Sequence, residues 1–244
     1  MEDRILKELE IASVVRLYGA RGARPGAQGA APGEPTVVPE PRTPFDSAGA
    51  AQPRLVAAMD WSELRGTVRQ CTACGLCRQR KQAVFGVGAE TASWLFIGEG
   101  PGADEDEQGE PFVGQAGRLL DSMLAAIGIK RGREVYIANV VKCRPPGNRT
   151  PTAEEAGACA PFLDRQIELV NPKIIVALGK TAAARLLDTE ASLGSLRGKV
   201  HGYKGTPLVV TYHPAYLLRS LPEKAKAWED LAFARRTLAA SLAA

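Results

Sequence analysis

Clustered cysteines, a glycine-framed acidic loop and one histidine after an apolar run are the residues of this chain whose types and spacing could do chemistry. Cys71-Thr72-Ala73-Cys74 is a C-x-x-C, Cys77 extends it, and Cys143 and Cys159 follow far downstream. Thiolates bind zinc or an iron-sulfur cluster, and four of them close either kind of site. Two from a tight turn and two from distant segments would staple the N-terminal edge of a domain to its middle. A thioredoxin-like pair fits poorly, because this C-x-x-C precedes the first strand and has three further cysteines around it. Buried unligated thiols are ordinary one at a time, whereas five with three clustered are not. Spacing leaves zinc and iron-sulfur both open, and with one thiol in excess Cys77 could replace Cys74.

The second constellation is Gly98-Glu99-Gly100-Pro101-Gly102, where glycines let backbone amides approach a ligand. Acids follow at Asp104, Glu105, Asp106, Glu107 and Glu110, then Phe112, a large apolar side chain in an otherwise polar segment. The spacing is neither a dinucleotide fingerprint nor a P-loop, so the glycines alone would signify only a turn. The third is His213, placed after Leu208-Val209-Val210-Thr211-Tyr212. A histidine at a strand's carboxyl end is well placed to polarise a ligand oxygen. Beyond it Tyr216, Leu217 and Leu218 form an apolar tip that could wedge into a base stack, with Arg219 holding a phosphate. The competing reading makes the leucines core. His201, among glycines and polar residues, reads as a surface residue.

The elements that must position these groups alternate. Strands are expected at 94–97, 135–141, 174–178 and 208–212, and helices at 62–69, 115–127, after Thr152, at 180–187 and at 222–238. Such alternation predicts an α/β fold, three-layer α/β/α, with a central, mostly parallel four-stranded sheet. Ligands then bind beyond the carboxyl ends of the strands, where the glycine-rich loop and His213 both lie. Ahead of this domain, residues 1–20 read as an amphipathic helix, either a short helix of no function or a docking segment for an unidentified protein. Residues 21–59, rich in Pro, Ala and Gly, read as a disordered linker, leaving 60–244 as the folded domain.

Composition bounds the function. At 244 residues with 45% hydrophobic and 24% charged content the chain is an ordinary globular protein, and its net charge of +4 is compatible with a polyanionic partner without demanding one. No apolar run approaches the roughly 18 residues of a membrane span, and Met1-Glu2-Asp3-Arg4 does not open a secretory signal. A cytoplasmic monomer with reduced thiols is the expectation.

Taken together, these motifs resemble family 4 uracil-DNA glycosylases, the iron-sulfur branch of that superfamily. The matching residues are Cys71-x-x-Cys74, Gly98 to Gly102, Glu105-Asp106, Gly109 to Gly114, Asn139 to Pro146, Cys159, and His213 to Arg219. The resemblance covers residues 71 to about 238 and implies a 4Fe-4S cluster on Cys71, Cys74, Cys143 and Cys159, with Cys77 the spare. It implies a uracil pocket made by Gly100, Pro101, Glu105, Phe112, Asn139 and His213, with Glu99 and His213 catalytic and residues 216–219 on DNA, single- or double-stranded. Within that pocket Phe112 would stack on the base, and Asn139 would accept from uracil N3–H and donate to O4. His213 would donate to O2 as it gains charge, assisted by the Gly100 amide. Glu99 would orient the water or support the cationic sugar, and Glu105 would help exclude the thymine methyl. Two other readings are a cluster-bearing nucleic-acid-binding module that cuts no bond, and a glycosylase of wider deaminated-base range.

Overall fold

The computed structural model describes residues 53–243. The expected helix of residues 1–20 and the linker up to residue 52 lie outside the described residues. Within the remainder of the expected linker, Pro53–Val56 forms a helical turn whose Val56 is buried in the core, so the folded unit starts a few residues before Asp60.

Six strands form one sheet in the order β1-β3-β2-β4-β6-β5, with β1 Val87–Gly88, β2 Trp94–Gly98, β3 Val135–Asn139, β4 Ile174–Leu178, β5 His201–Tyr203 and β6 Thr206–Thr211. The inner pairs β3·β2, β2·β4 and β4·β6 are parallel, giving the four strands that the alternation demands. Two antiparallel edges, β1 and β5, are additions. They are two and three residues long and contain glycine, too short to show a period of two. His201 belongs to β5, half-buried, with Nε2 2.8 Å from the Leu196 carbonyl.

Alternation along the strands separates two cores. Leu95, Ile97, Ala138, Ile175, Ala177 and Val210 face one side, and Trp94, Phe96, Ile137, Ile174, Val176 and Val209 the other. The first face is covered by α1 Trp61–Gln70, α4 Ala153–Val170 and α5 Lys180–Leu187. The second is covered by α3 Gln115–Ala126 and α6 Glu223–Ala243. Asp60 and Thr152 begin α1 and α4 with reciprocal caps, their side chains accepting from Glu63 N and Glu155 N while the two glutamates accept from the cap amides.

Among the helices that were not expected, α2, Ala103–Gln108, lies inside the acidic loop. Its sequence Ala-Asp-Glu-Asp-Glu-Gln has no apolar stripe. It is held by contacts rather than by periodicity, since Glu105 accepts from Gly102 N at 3.0 Å and the buried Asp106 accepts from Lys81 N at 2.9 Å.

Candidate active site

A cavity of about 470 Å³ opens beyond the carboxyl ends of the parallel strands. It is lined by Glu99, Gly100, Pro101, Glu105, Phe112, Asn139, His213, Tyr216 and Arg219, so the residues of three separate sequence segments meet in one place. The elements explain the convergence. Glu99 follows β2, Asn139 ends β3, and His213 lies two residues beyond β6.

Asn139 is 2% exposed and pairs in register with Gly98 on β2. Its Oδ1 has no hydrogen-bond partner. An unpaired buried acceptor costs about 1–3 kcal/mol, so in a cavity-lining side chain it marks a place where a ligand donor belongs. Gly98 makes the room: a Cβ there would stand 2.6 Å both from Asn139 Oδ1 and from Cζ of Phe112.

Phe112 has φ 57°, a left-handed backbone rare outside glycine that costs about 1–3 kcal/mol. Its ring lies 5.4 Å from that of His213 at 30°. The segment carrying it is gripped from two sides. Glu105 Oε1 accepts from Val113 N at 2.9 Å and Gly114 N at 3.1 Å. From the other side Arg131 donates to the carbonyls of Pro111 and Phe112, both at 2.8 Å. Glu105 therefore has a part the sequence reading did not give it: its two oxygens take three backbone amides and shape the loop.

His213 Nδ1 accepts from Ala215 N at 3.2 Å, so in the neutral ring the proton sits on Nε2. Burial, reinforced by Arg219, lowers its pKa to about 4 even though Glu105 pulls the other way. The imidazole is thus a neutral Nε2–H donor at pH 7. Glu99 accepts from the Thr181 hydroxyl, a partner on α5 with no signal in the sequence. Glu99 and His213 also line an adjoining cavity of about 690 Å³ on the α4–α5 side.

The apolar tip divides. Tyr216 is 40% and Leu218 37% exposed, but Leu217 is 1% exposed and packs in the core with α6. That corrects the expected three-residue wedge: a one-turn helix at Pro214–Leu217 turns Leu217 inward, where it anchors the tip. Tyr216 is stacked on Tyr212 at 5.3 Å, and the Arg197 guanidinium covers Tyr212 at 4.5 Å. Asn148, Arg149 and Thr150 complete the cavity rim. They follow the Pro145-Pro146 segment, whose charge and prolines were the available signal.

The five cysteines, none in a disulfide, all line one narrow cavity between the ends of α1 and β3 and the side of α4. Among the described residues no three His, Cys, Asp or Glu side chains converge on a single metal-ion position. A four-iron cluster needs something else, thiolates spread around a cube. The surroundings suit an anionic group. Arg80 Nη1 donates to Cys143 Sγ at 2.9 Å and Lys142 N to Cys159 Sγ at 3.3 Å. Lys142 is 1% exposed, its ammonium donating to the Asn139 carbonyl at 2.8 Å. Burial lowers its pKa to about 8, and the offsetting charges are Cys159 and Cys143. Burial also pushes Cys159 up to about 12 and raises Cys143 and Cys74, so thiolates there call for a metal's charge.

With this geometry in hand, comparison with known proteins places the fold. A family model of the uracil DNA glycosylase superfamily matches residues 85–232, and the chain belongs to that superfamily. Its likeness within it is to the type-4 branch. The chain is 50% identical over 155 residues to the type-4 uracil-DNA glycosylase of Thermotoga maritima, covering 63% of this chain and 80% of that one. It is 43% identical over 184 residues to that of Pyrobaculum aerophilum, covering 71% and 92%. A type-5 uracil-DNA glycosylase of Thermus thermophilus is 31% identical over 189 residues, covering 60% and 84%.

Proposed function

We propose that this chain is a DNA repair glycosylase that hydrolyses the bond between deoxyribose and uracil, releasing uracil and leaving an abasic site. The observation that carries the reading is the buried, unpartnered Oδ1 of Asn139 in the cavity wall. Uracil presents N3–H as a donor between two acceptors, and one amide can accept the first and donate to O4. Cytosine reverses both polarities and would leave buried groups unpaired, which discriminates far more strongly than shape does.

Breaking the bond leaves positive charge on the sugar and negative charge on the base. His213, neutral and with Nε2–H available, donates to O2 as that oxygen gains charge, with the Gly100 amide beside it. One preorganised donor of this kind is worth about 3 kcal/mol of barrier. Phe112 stacks on the base, and Pro101 closes the pocket. Glu99, steadied by Thr181, supports the cationic sugar and orients the water from the adjoining cavity. The base must leave the duplex or come from a single strand, with Tyr216 and Leu218 at the opening, Leu217 beneath them and Arg219 for a phosphate.

The cysteine cavity is the place for a 4Fe-4S cluster on Cys71, Cys74, Cys143 and Cys159, with Cys77 spare, and bound there the cluster supplies a staple between α1, the end of β3 and α4. Free thiols fit a reducing, cytoplasmic setting, and a monomer suffices for the site. Among the described residues no helix is long and apolar enough to cross a membrane. The test is a uracil-bearing oligonucleotide, cleaved by alkali after incubation. Asn139→Asp should lower uracil release by about 100-fold while raising release of cytosine relative to it. Unchanged uracil release by that variant would remove Asn139 from the role.

A further inference from the structure

Phe112 must hold its ring in a fixed plane to stack on a base, yet its backbone has the left-handed φ of 57°. A phenylalanine does not stay there unaided. Its own carbonyl and that of Pro111 both face one side chain, Arg131, whose Nη2 and Nη1 reach them at 2.8 Å each. Arg131 Nε in turn donates to Asp121 Oδ1 on α3 at 2.9 Å. A planar guanidinium is the one side chain that can fork across two successive carbonyls while a third donor fixes its own orientation. The fit is tight behind it as well, for a Cβ at Gly117 would lie 1.8 Å from the Phe112 carbonyl.

Arg131 does not line the cavity. It sits in the connection between α3 and β3, about twenty residues from Phe112 in sequence, and its side chain is largely covered. We propose that Arg131, oriented by Asp121, is a positioning residue for the glycosylase: it sets the Phe112 ring against the base by holding the two backbone carbonyls that fix its φ. This rests on Phe112 being the base-stacking residue. Arg131 acts on the reaction only through that ring.

A double-mutant cycle separates this from general stabilisation. Arg131→Met should lower kcat/KM on a uracil oligonucleotide on the order of 10- to 100-fold, the loss expected for a displacement of about 1 Å. It should also weaken competitive inhibition by free uracil. In the Phe112→Ala background the same change should be nearly silent, because the ring it positions is gone. Arg131→Lys should recover little, since an ammonium cannot span both carbonyls and Asp121. Equal fold-losses in the presence and absence of the Phe112 ring, or an Arg131→Met enzyme as active as the parent once corrected for folded fraction, would overturn the proposal. Should Arg131→Met not fold, Asp121→Asn and Arg131→Lys run through the same cycle. An inactive parent would overturn the glycosylase reading itself, a result distinct from an active parent with additive losses.

Discussion

His213 carries the clearest pH signature. Its folded pKa of about 4 lies below the ordinary 6.5, because burial and Arg219 disfavour the imidazolium. Between those values the unfolded chain binds a proton that the folded chain does not, so stability from this group is complete above about pH 6.5 and falls as pH drops toward 4. We expect His213→Asn to flatten that part of the melting-temperature profile and to reduce kcat by 100- to 1,000-fold, the loss of one oxyanion donor. In the parent, activity on the acid side should hold through pH 6.5, measured by uracil release across a buffer series; a break there would assign the imidazole an ordinary pKa. At this scale the sequence offers candidates where the residue type is itself the chemistry, as with Cys71, Cys74 and His213, and the structure brings His213 to the cavity wall and the cysteines to one place. Asn139 is one asparagine at a strand end with no spacing signature, and the role proposed for it comes through the family resemblance. Arg131 and Thr181 leave no trace, because their contacts span 19 and 82 residues.

At the level of elements, strongly periodic segments are legible to within a residue or two. β2, β4, α3 and α5 fall at or beside their expected limits. α2 is not, because a six-residue helix of acids has nothing for periodicity to detect. Its stability depends on Glu105, which ties its first turn to the Phe112 segment. Glu105→Gln replaces one acceptor oxygen with a donor that faces a backbone N–H. The change should cost about 1–3 kcal/mol, read as a melting temperature several degrees lower, together with a reduced kcat/KM as the loop loosens. A variant with the parent's melting temperature and activity would show that the three amides find other partners.

Across the whole molecule, the cysteine cavity joins α1 to β3 and α4 and reaches Asn139 through Lys142. With the cluster ligated as proposed, Cys159→Ser should lower both bound iron and melting temperature, whereas Cys77→Ser should keep the visible absorbance and iron content of the parent. Loss of iron in the second variant would exchange the spare thiol for a ligand. Removing residues 1–52 should leave activity on short oligonucleotides intact, the cut stopping before Val56, which is buried in the core. A large loss on that truncation would make the N-terminal segment part of the enzyme.

The ladder that sets Gly98 opposite Asn139 runs back through Ile97–Ala138 and Phe96–Ile137 to Trp94–Val135. Neighbouring positions on a strand point to opposite sides, so displacing β3 by one place would swing the amide out of the cavity and bury its neighbour in its stead. Under the role proposed for Asn139, the choice between pyrimidines depends on the sheet's backbone pairing: partial melting of β3 should abolish discrimination and turnover together, with no intermediate that still cuts but has lost its choice of base.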